Sequence, residues 1–305
     1  MENRRFYSHG KLLITGEYLV LDGAQALALP TKYGQDMQVS LCEKPAIIWR
    51  SMEVDGTVWM EERFSVNRIV DGGIENSDSD YLKTLLRILG AAAKANPHFF
   101  KSSQGYCIET RLEFPRLWGL GTSSTLINNI AQWVGIDAFQ LLEDSFGGSG
   151  YDIACAQHDT AVLYTKTACG PLVEAVELKP VFSQYLYFVY LNQKQSSKDG
   201  IARYRNFSGD ITSKRDEINA ITKRLLQVTE LDELELLLEQ HETIIASVIG
   251  MPKIKDLKFP DFPGAIKSLG AWGGDFVLVT AKKNPQAYFK AKGFETVLSY
   301  DSMIL

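Results

Sequence analysis

The chain has 305 residues, more than one domain usually holds and enough for a sizeable core in one large or two medium units. Thirty-two Lys and Arg against 37 Asp and Glu leave a net charge of -5, and no run of five or six like charges makes a basic stripe, so nucleic acid and anionic membrane are set aside as partners. Nothing approaches about 18 consecutive apolar residues, so no membrane-spanning helix is expected.

In chain order, the segment up to Leu21 is basic, but Gly16 and Glu17 cut its apolar run and it offers no small-residue cleavage site. The first half reads mostly as short β-rich runs over residues 11–15, 18–21, 26–29, 36–42, 46–50 and 57–61, with 106–114 and 160–165 further on, parted by Gly, Asp or Pro. Two helical patterns interrupt them. Residues 81–95 place Leu82, Leu85, Leu86 and Leu89 at helical spacing, and 124–134 repeat the theme with Leu126, Ile127, Ile130 and Val134 before Gly135. After Pro180 the texture changes: an apolar strand at 185–191, a polar stretch, helices over about 205–249, a Pro-rich segment, then 265–281 and a last helix and strand. This places a domain boundary near residue 180, giving domains 1–180 and 181–305. Cys42, Cys107, Cys155 and Cys169 form no CxxC pair and no dense pattern, so neither a disulfide framework nor a zinc site is indicated, and a reduced, cytoplasmic protein with thiols as small core residues is expected.

Three Gly-rich stretches carry the chemistry: residues 9–23, 119–124 and 268–274. In the second, Gly119 and Gly121 flank Leu120 and let the main chain approach a ligand closely, while the helix behind offers unpaired N–H groups and a positive dipole end that suit an anion. Thr122, Ser123 and Ser124 can cap that helix, and a hydroxyl not spent on capping is a ligand for Mg²⁺ held by nucleotide phosphates. A tight turn with an ordinary Ser/Thr cap fits the same residues. No Gly-Lys-Ser/Thr phosphate loop and no GxGxxG fingerprint fits.

Asp152, after the Gly-rich bend 146–150, is either a base that takes a proton from a substrate hydroxyl or the cap of the short helix behind it. Glu143 is a second Mg²⁺ ligand or a solvated surface acid. Lys11 either sits wet at a strand edge or points inward, lowers the pKa of an attacking hydroxyl and pairs with Asp152. Glu17 interrupts a strand run and needs a partner unless it lies at a polar edge. The bend around Gly273 alone reads as a hairpin. His9, His98, His158 and His241 show no metal-ligand spacing, and neither GxSxG nor HExxH occurs, so hydrolase and zinc-enzyme readings fall away.

In this order, "GKLLITGEYLVLDG" from Gly10, "PRLWGLGTSS" from Pro115 and "KSLGAWGGD" from Lys267 resemble the three motifs of the GHMP kinase superfamily of small-molecule kinases. "GEY" with "LDG", "GSGYDIA" and the closing "GGD" are most similar to the mevalonate and phosphomevalonate kinase branch. The resemblance implies an α+β, two-domain fold with a left-handed βαβ element in the N-terminal domain, a ferredoxin-like C-terminal domain and ligands in the cleft between them. It implies transfer of the γ-phosphoryl group of ATP, with Mg²⁺, to mevalonate or phosphomevalonate in isoprenoid precursor synthesis. Diphosphomevalonate decarboxylation and non-catalytic metabolite binding are the alternatives within the fold.

By position, Lys11 matches the lysine that polarises the acceptor oxygen, Ser123 the serine on Mg²⁺, and Asp152 the base; Glu143 matches the Mg²⁺ glutamate across a two-residue gap. Gly119 to Ser124 would hold the nucleotide, and Glu17, Ser149, Gly150, Ser196, Ser197, Gly270, Gly273 and Gly274 the acceptor side. A small-molecule substrate is the implied partner, and a homodimer the default assembly. His9, Thr122 and Trp272 depart from the family pattern, and a bulky Trp272 inside a glycine loop would reshape the acceptor pocket.

Overall fold

The computed structural model describes residues 3–101, 103–193 and 197–305. The chain forms two compact units, one built from the chain up to Gly10 with Tyr33–Arg116 and Gly121–Gln157, the other from Lys11–Lys32, Leu117–Leu120 and His158–Leu305. Strands β1 (Arg4–Thr15) and β2 (Ala26–Cys42) each run from one unit into the other.

The first unit carries β3 (Ala46–Met52), β4 (Val58–Ser65), α1 (Val66–Val70), α2 (Asp80–Ala95), β5 (Gly105–Leu112), α3 (Thr122–Val134), α4 (Ala138–Ser145) and α5 (Tyr151–Ala156). Its strands lie in the order β4-β3-β5-β2, and β3 is parallel to β5, so the chain between them must cross over; β4, α1 and α2 supply that crossover. Strand β3 alternates, burying Ile47, Trp49 and Ser51. Helix α2 starts where the Ser79 hydroxyl accepts the Leu82 N–H at 3.1 Å and stops before Pro97. Its apolar stripe, with Ile127 and Ile130 of α3, packs on Met37, Val39, Trp49 and Ile108 of the sheet.

The second unit adds β6 (Ala161–Thr167) and β7 (Gly170–Val176), paired antiparallel to each other, with β6 also antiparallel to Ala26–Ala28 of β2. Then come β8 (Leu186–Tyr190), α6 (Ser197–Arg205), α7 (Ile211–Leu225), α8 (Leu231–Ile249), α9 (Ile254–Lys258), β9 (Ile266–Ser268), β10 (Phe276–Thr280), α10 (Gln286–Ala291), β11 (Val297–Ser299) and α11 (Tyr300–Met303). These last strands form an antiparallel sheet in the order β11-β8-β10-β9. With helices between β8 and β9 and between β10 and β11, that is the βαββαβ ferredoxin-like pattern expected for the C-terminal part. A core of Val189, Val277, Val279, Phe259, Phe262 and Phe289 sits on one side of it.

The sequence reading differs from the structure in two places that matter for the site. The apolar run 18–21 is not a strand: Leu19–Asp22 is a single 3-10 turn that follows a sharp reversal at Tyr18. The runs 26–29 and 36–42 are one strand, β2, which continues through Pro30.

Candidate active site

Within the second unit the three glycine stretches meet. The Lys11 backbone N–H, on β1, donates to the Leu120 carbonyl at 2.9 Å, and its ammonium Nζ donates to the Gly119 carbonyl at 3.0 Å. The half-buried lysine therefore ties the first stretch to the second by both main chain and side chain. Gly119 holds φ +70°, and a Cβ there would fall 2.3 Å from the Asp275 carboxyl, so only glycine lets that acid come so near. Asp275, at φ 52°, is held by its N–H to the Gln193 carbonyl at 2.7 Å and by the Leu191 N–H on its own carbonyl at 2.8 Å. Leu120 turns its side chain wholly into the core, leaving main chain at the loop surface. Gly270 and Gly273, at φ 70° and 82°, shape the third stretch, and the Gly274 N–H closes its turn on the Ala271 carbonyl at 3.3 Å.

The first stretch reaches the third through two further links. Tyr18 is the centre of a γ-turn, φ 62° and ψ -50°, closed by the Leu19 N–H on the Glu17 carbonyl at 2.7 Å, a strained conformation for a residue with a Cβ. Its hydroxyl accepts the Trp272 N–H at 3.0 Å. Trp272 does not stand in the loop as the sequence suggested. Its indole is buried with Tyr18, Tyr204, Ile245 and Val248, and its Nε1–H donates to the Pro252 carbonyl at 3.0 Å. Trp118, beside the second stretch, packs edge-on against Phe276.

The second link is a buried charge cluster. Glu17 is only 1 % exposed, and its Oε1 accepts from Lys267 Nζ at 2.5 Å. Its Oε2 lies 3.2 Å from His241 Nε2, which itself accepts the Gly16 N–H at 3.1 Å. Glu242 accepts the Ser268 N–H at 3.0 Å and lies 4.0 Å from Lys267 Nζ. Burial raises both carboxyls: Glu17 is pushed up despite Lys267, and Glu242 to about 8 despite Lys267 and helped by Glu17. Burial and the Lys267 charge hold His241 well below its ordinary value. At neutral pH the cluster therefore carries a neutral imidazole and a protonated Glu242 beside the Glu17–Lys267 pair. Glu17 is spent inside the fold rather than offered at a surface.

Most of the other sequence candidates lie in the first unit. Helix α3 opens at Gly121, φ 99°, with no side-chain cap, so the hydroxyls do not cap as sequence alone suggested. Ser124 donates back to the Gly121 carbonyl at 2.8 Å, while Ser123 is exposed and Thr122 half-buried. Glu143 is exposed on α4. The Gly147, Gly148 and Gly150 bend is left-handed throughout, φ 67°, 127° and 92°, and Gly150, not Asp152, is the cap of α5. Asp152 sits in the first turn, half-buried, accepting the Ile153 N–H at 3.1 Å, with Ser149 half-buried in the bend before it. Helices α3 and α5 are joined through buried Asn128, which donates to the Ala156 carbonyl at 3.4 Å and accepts from Gln157 Nε2 at 3.0 Å. Ser196 lies outside the described residues, and of Ser197, which opens α6, only the main chain is described.

Sequence reasoning missed Lys267, His241, Glu242 and Asp275 as site builders. An ionisable residue inside an apolar strand, as in 265–268, was the available signal; His241 and Glu242 lie on the buried stripe of α8, where a period count of ionisable residues would have found them.

No protein-family model and no curated protein matches the sequence. Solved structures do match the fold. The Methanococcus jannaschii mevalonate kinase superposes with TM-score 0.69 at 14% identity, covering 97% of this chain and 96% of that one. The Streptococcus pneumoniae phosphomevalonate kinase in complex with phosphomevalonate and AMPPNP gives 0.71 at 14%, over 97% and 99%. The Lactococcus lactis galactokinase complexed with galactose gives 0.70 at 13%, over 95% and 88%. The fold is that of the GHMP kinases. Gly119 touches both Lys11 and Asp275, and so joins the first glycine stretch to the residue that closes the third.

Proposed function

We propose that this chain is an ATP-dependent small-molecule kinase that passes the γ-phosphoryl group to a mevalonate-type acceptor, mevalonate or phosphomevalonate. The observation that supports this most is the meeting of three distant glycine stretches through Lys11, Gly119 and Asp275, in a chain with the GHMP kinase fold. Such a junction has little use in a merely structural turn, which needs no lysine and no second loop.

The residues suit a nucleotide. Helix α3 is long enough for its positive end to favour phosphate, and its first-turn N–H groups are not spent on a side-chain cap. Among the described residues no three His, Cys, Asp or Glu side chains cluster to hold a metal alone, which fits Mg²⁺ arriving with the nucleotide and touching one or two protein groups, Ser123 and Glu143. When bound, the ion neutralises charge on the phosphates. Phosphoryl transfer leaves little covalent work to the protein, so positioning and charge neutralisation dominate. Lys11, anchored on Gly119, is the cation for the acceptor oxygen; Asp152 takes the proton that the acceptor hydroxyl gives up as it forms its bond to phosphorus. Gly150 and Ser149 border that acid, and the third loop buttresses the acceptor side through Gly270, Gly273 and Gly274.

The test is release of ADP by the purified protein with mevalonate, phosphomevalonate, homoserine and a few sugars. Asp152→Asn should lower kcat by roughly 10²- to 10⁴-fold with a hydroxyl acceptor while nucleotide affinity persists. A phosphate-oxygen acceptor arrives already ionised and should be less sensitive. Absence of ADP release with every acceptor would remove the reading, and an unchanged kcat in Asp152→Asn with a hydroxyl acceptor would remove Asp152 from the base role.

A further inference from the structure

Two of the four cysteines, Cys42 and Cys107, are far apart in sequence but meet in space. In the antiparallel pair of β2 and β5, Ser40 faces Cys107 and Cys42 faces Gly105, which makes Cys42 and Cys107 diagonal neighbours on one face of the sheet. Their sulfurs are 3.1 Å apart, the Cys107 thiol donating toward Cys42. Both side chains are half-exposed, so a dissolved oxidant reaches them. Cys42 ends its strand, and the turn that follows folds over Gly105, where a Cβ would lie 1.8 Å from the Lys44 carbonyl. A strand end is where the small shift from 3.1 Å to the bonded separation of about 2.05 Å is easiest. Cys155 is buried, and Cys169 is exposed in the turn between β6 and β7.

We infer that Cys42 and Cys107 form an oxidant-sensitive dithiol that closes to a disulfide across β2 and β5. With oxidised glutathione, one protein sulfur gives up its proton and attacks the glutathione disulfide, forming a mixed disulfide and releasing one glutathione thiol. The neighbouring sulfur, losing its own proton, then attacks the protein sulfur of that mixed disulfide and releases the second glutathione. Two protein S–H bonds are lost, one S–S bond forms, and one oxidised glutathione becomes two reduced ones. Because the second sulfur already stands within 3.1 Å, ring closure outruns accumulation of the mixed disulfide. Burial and the Cys107 thiol push the Cys42 thiol up to about 11, which lowers its thiolate fraction, so exchange quickens as pH rises. The bond would close a loop spanning 65 positions, including β3, β4, α1 and α2, and so restrict the unfolded first unit.

The full chain is incubated with oxidised glutathione, alkylated and mapped by mass spectrometry under non-reducing conditions. The expected result is a Cys42–Cys107 cross-linked peptide two hydrogens lighter than the sum of its parts, a glutathione adduct on Cys169, and an unfolding midpoint in urea that rises on oxidation and returns with dithiothreitol. Cys42→Ser and Cys107→Ser should each abolish the cross-link and let the remaining partner carry a stable glutathione adduct, whereas Cys169→Ser should leave the cross-link intact. Stable glutathione on Cys42 or Cys107 in the unsubstituted protein, or both thiols unmodified while Cys169 reacts, overturns the inference.

Discussion

At the scale of single residues, the charge cluster under the glycine loops gives the sharpest expectations. Glu242 titrates near 8 in the folded chain against an ordinary 4.5, so the folded state keeps a proton that the unfolded chain has released. That stabilisation is complete below 4.5 and is lost as pH rises through about 8. Glu17, also raised, acts in the same sense. His241 acts in the opposite one: its pKa is depressed from 6.5, so its contribution is present above that value and is lost as pH falls below it. Between 6.5 and 8 the carboxyls therefore set the slope of this cluster. Glu242→Gln, which mimics the protonated acid, should lose less stability than the unsubstituted protein across that window in urea titrations; parallel slopes would show that Glu242 is ionised throughout. Lys267→Met should cost more, about 3–5 kcal/mol, because it strands the buried Glu17 carboxylate without its cation. A loss under 1 kcal/mol in the same titration would mean that Glu17 is protonated in the fold.

At the scale of elements, the catalytic candidates of the first unit depend on how α3 and α5 are held together. Helix α5 has only six residues and cannot fix its own orientation. Asn128 on α3 supplies the anchor: fully buried, it donates to Ser8 Oγ at 2.9 Å and to the Ala156 carbonyl, and it accepts from Gln157. Asn128→Ala would strip partners from several buried polar groups at once, a loss of about 1–3 kcal/mol. Far-UV circular dichroism should stay unchanged while the unfolding midpoint falls, and amide exchange across α5 should speed up. Exchange in α5 equal to that of the unsubstituted protein would show that Gly-rich bend geometry, not Asn128, holds the helix. The same scale explains the misread run 18–21. Its residues are apolar enough for a strand, but a Cβ on Gly16 would come within 2.9 Å of Ala26, and the γ-turn at Tyr18 reverses the chain before a second ladder can form.

At the scale of the whole molecule, the periodic elements were legible because one helix or strand buries one face whatever it packs against. The stripe of α2, the strand β8 and the helices α7 and α8 were all read from residues a few positions apart. The glycine stretches were legible for a related reason: loops that must adopt positive φ need glycine, as at Gly119, Gly121 and Gly273. What joins those stretches was not legible. Glu17 and Lys267 are 250 positions apart, and no local pattern makes a buried lysine in "AIKS" the partner of a glutamate in "TGEY". The same holds for Tyr18 with Trp272 and for Cys42 with Cys107, whose contacts follow from strand register and chain reversal rather than from composition. The sequence by itself determined most of the elements and the three glycine loops, since backbone sterics and apolar periodicity act over a few residues. Only the tertiary structure decided which charges are buried together, which way Trp272 faces and which thiols touch, because desolvation and Coulomb attraction depend on distances that the chain sets only when folded.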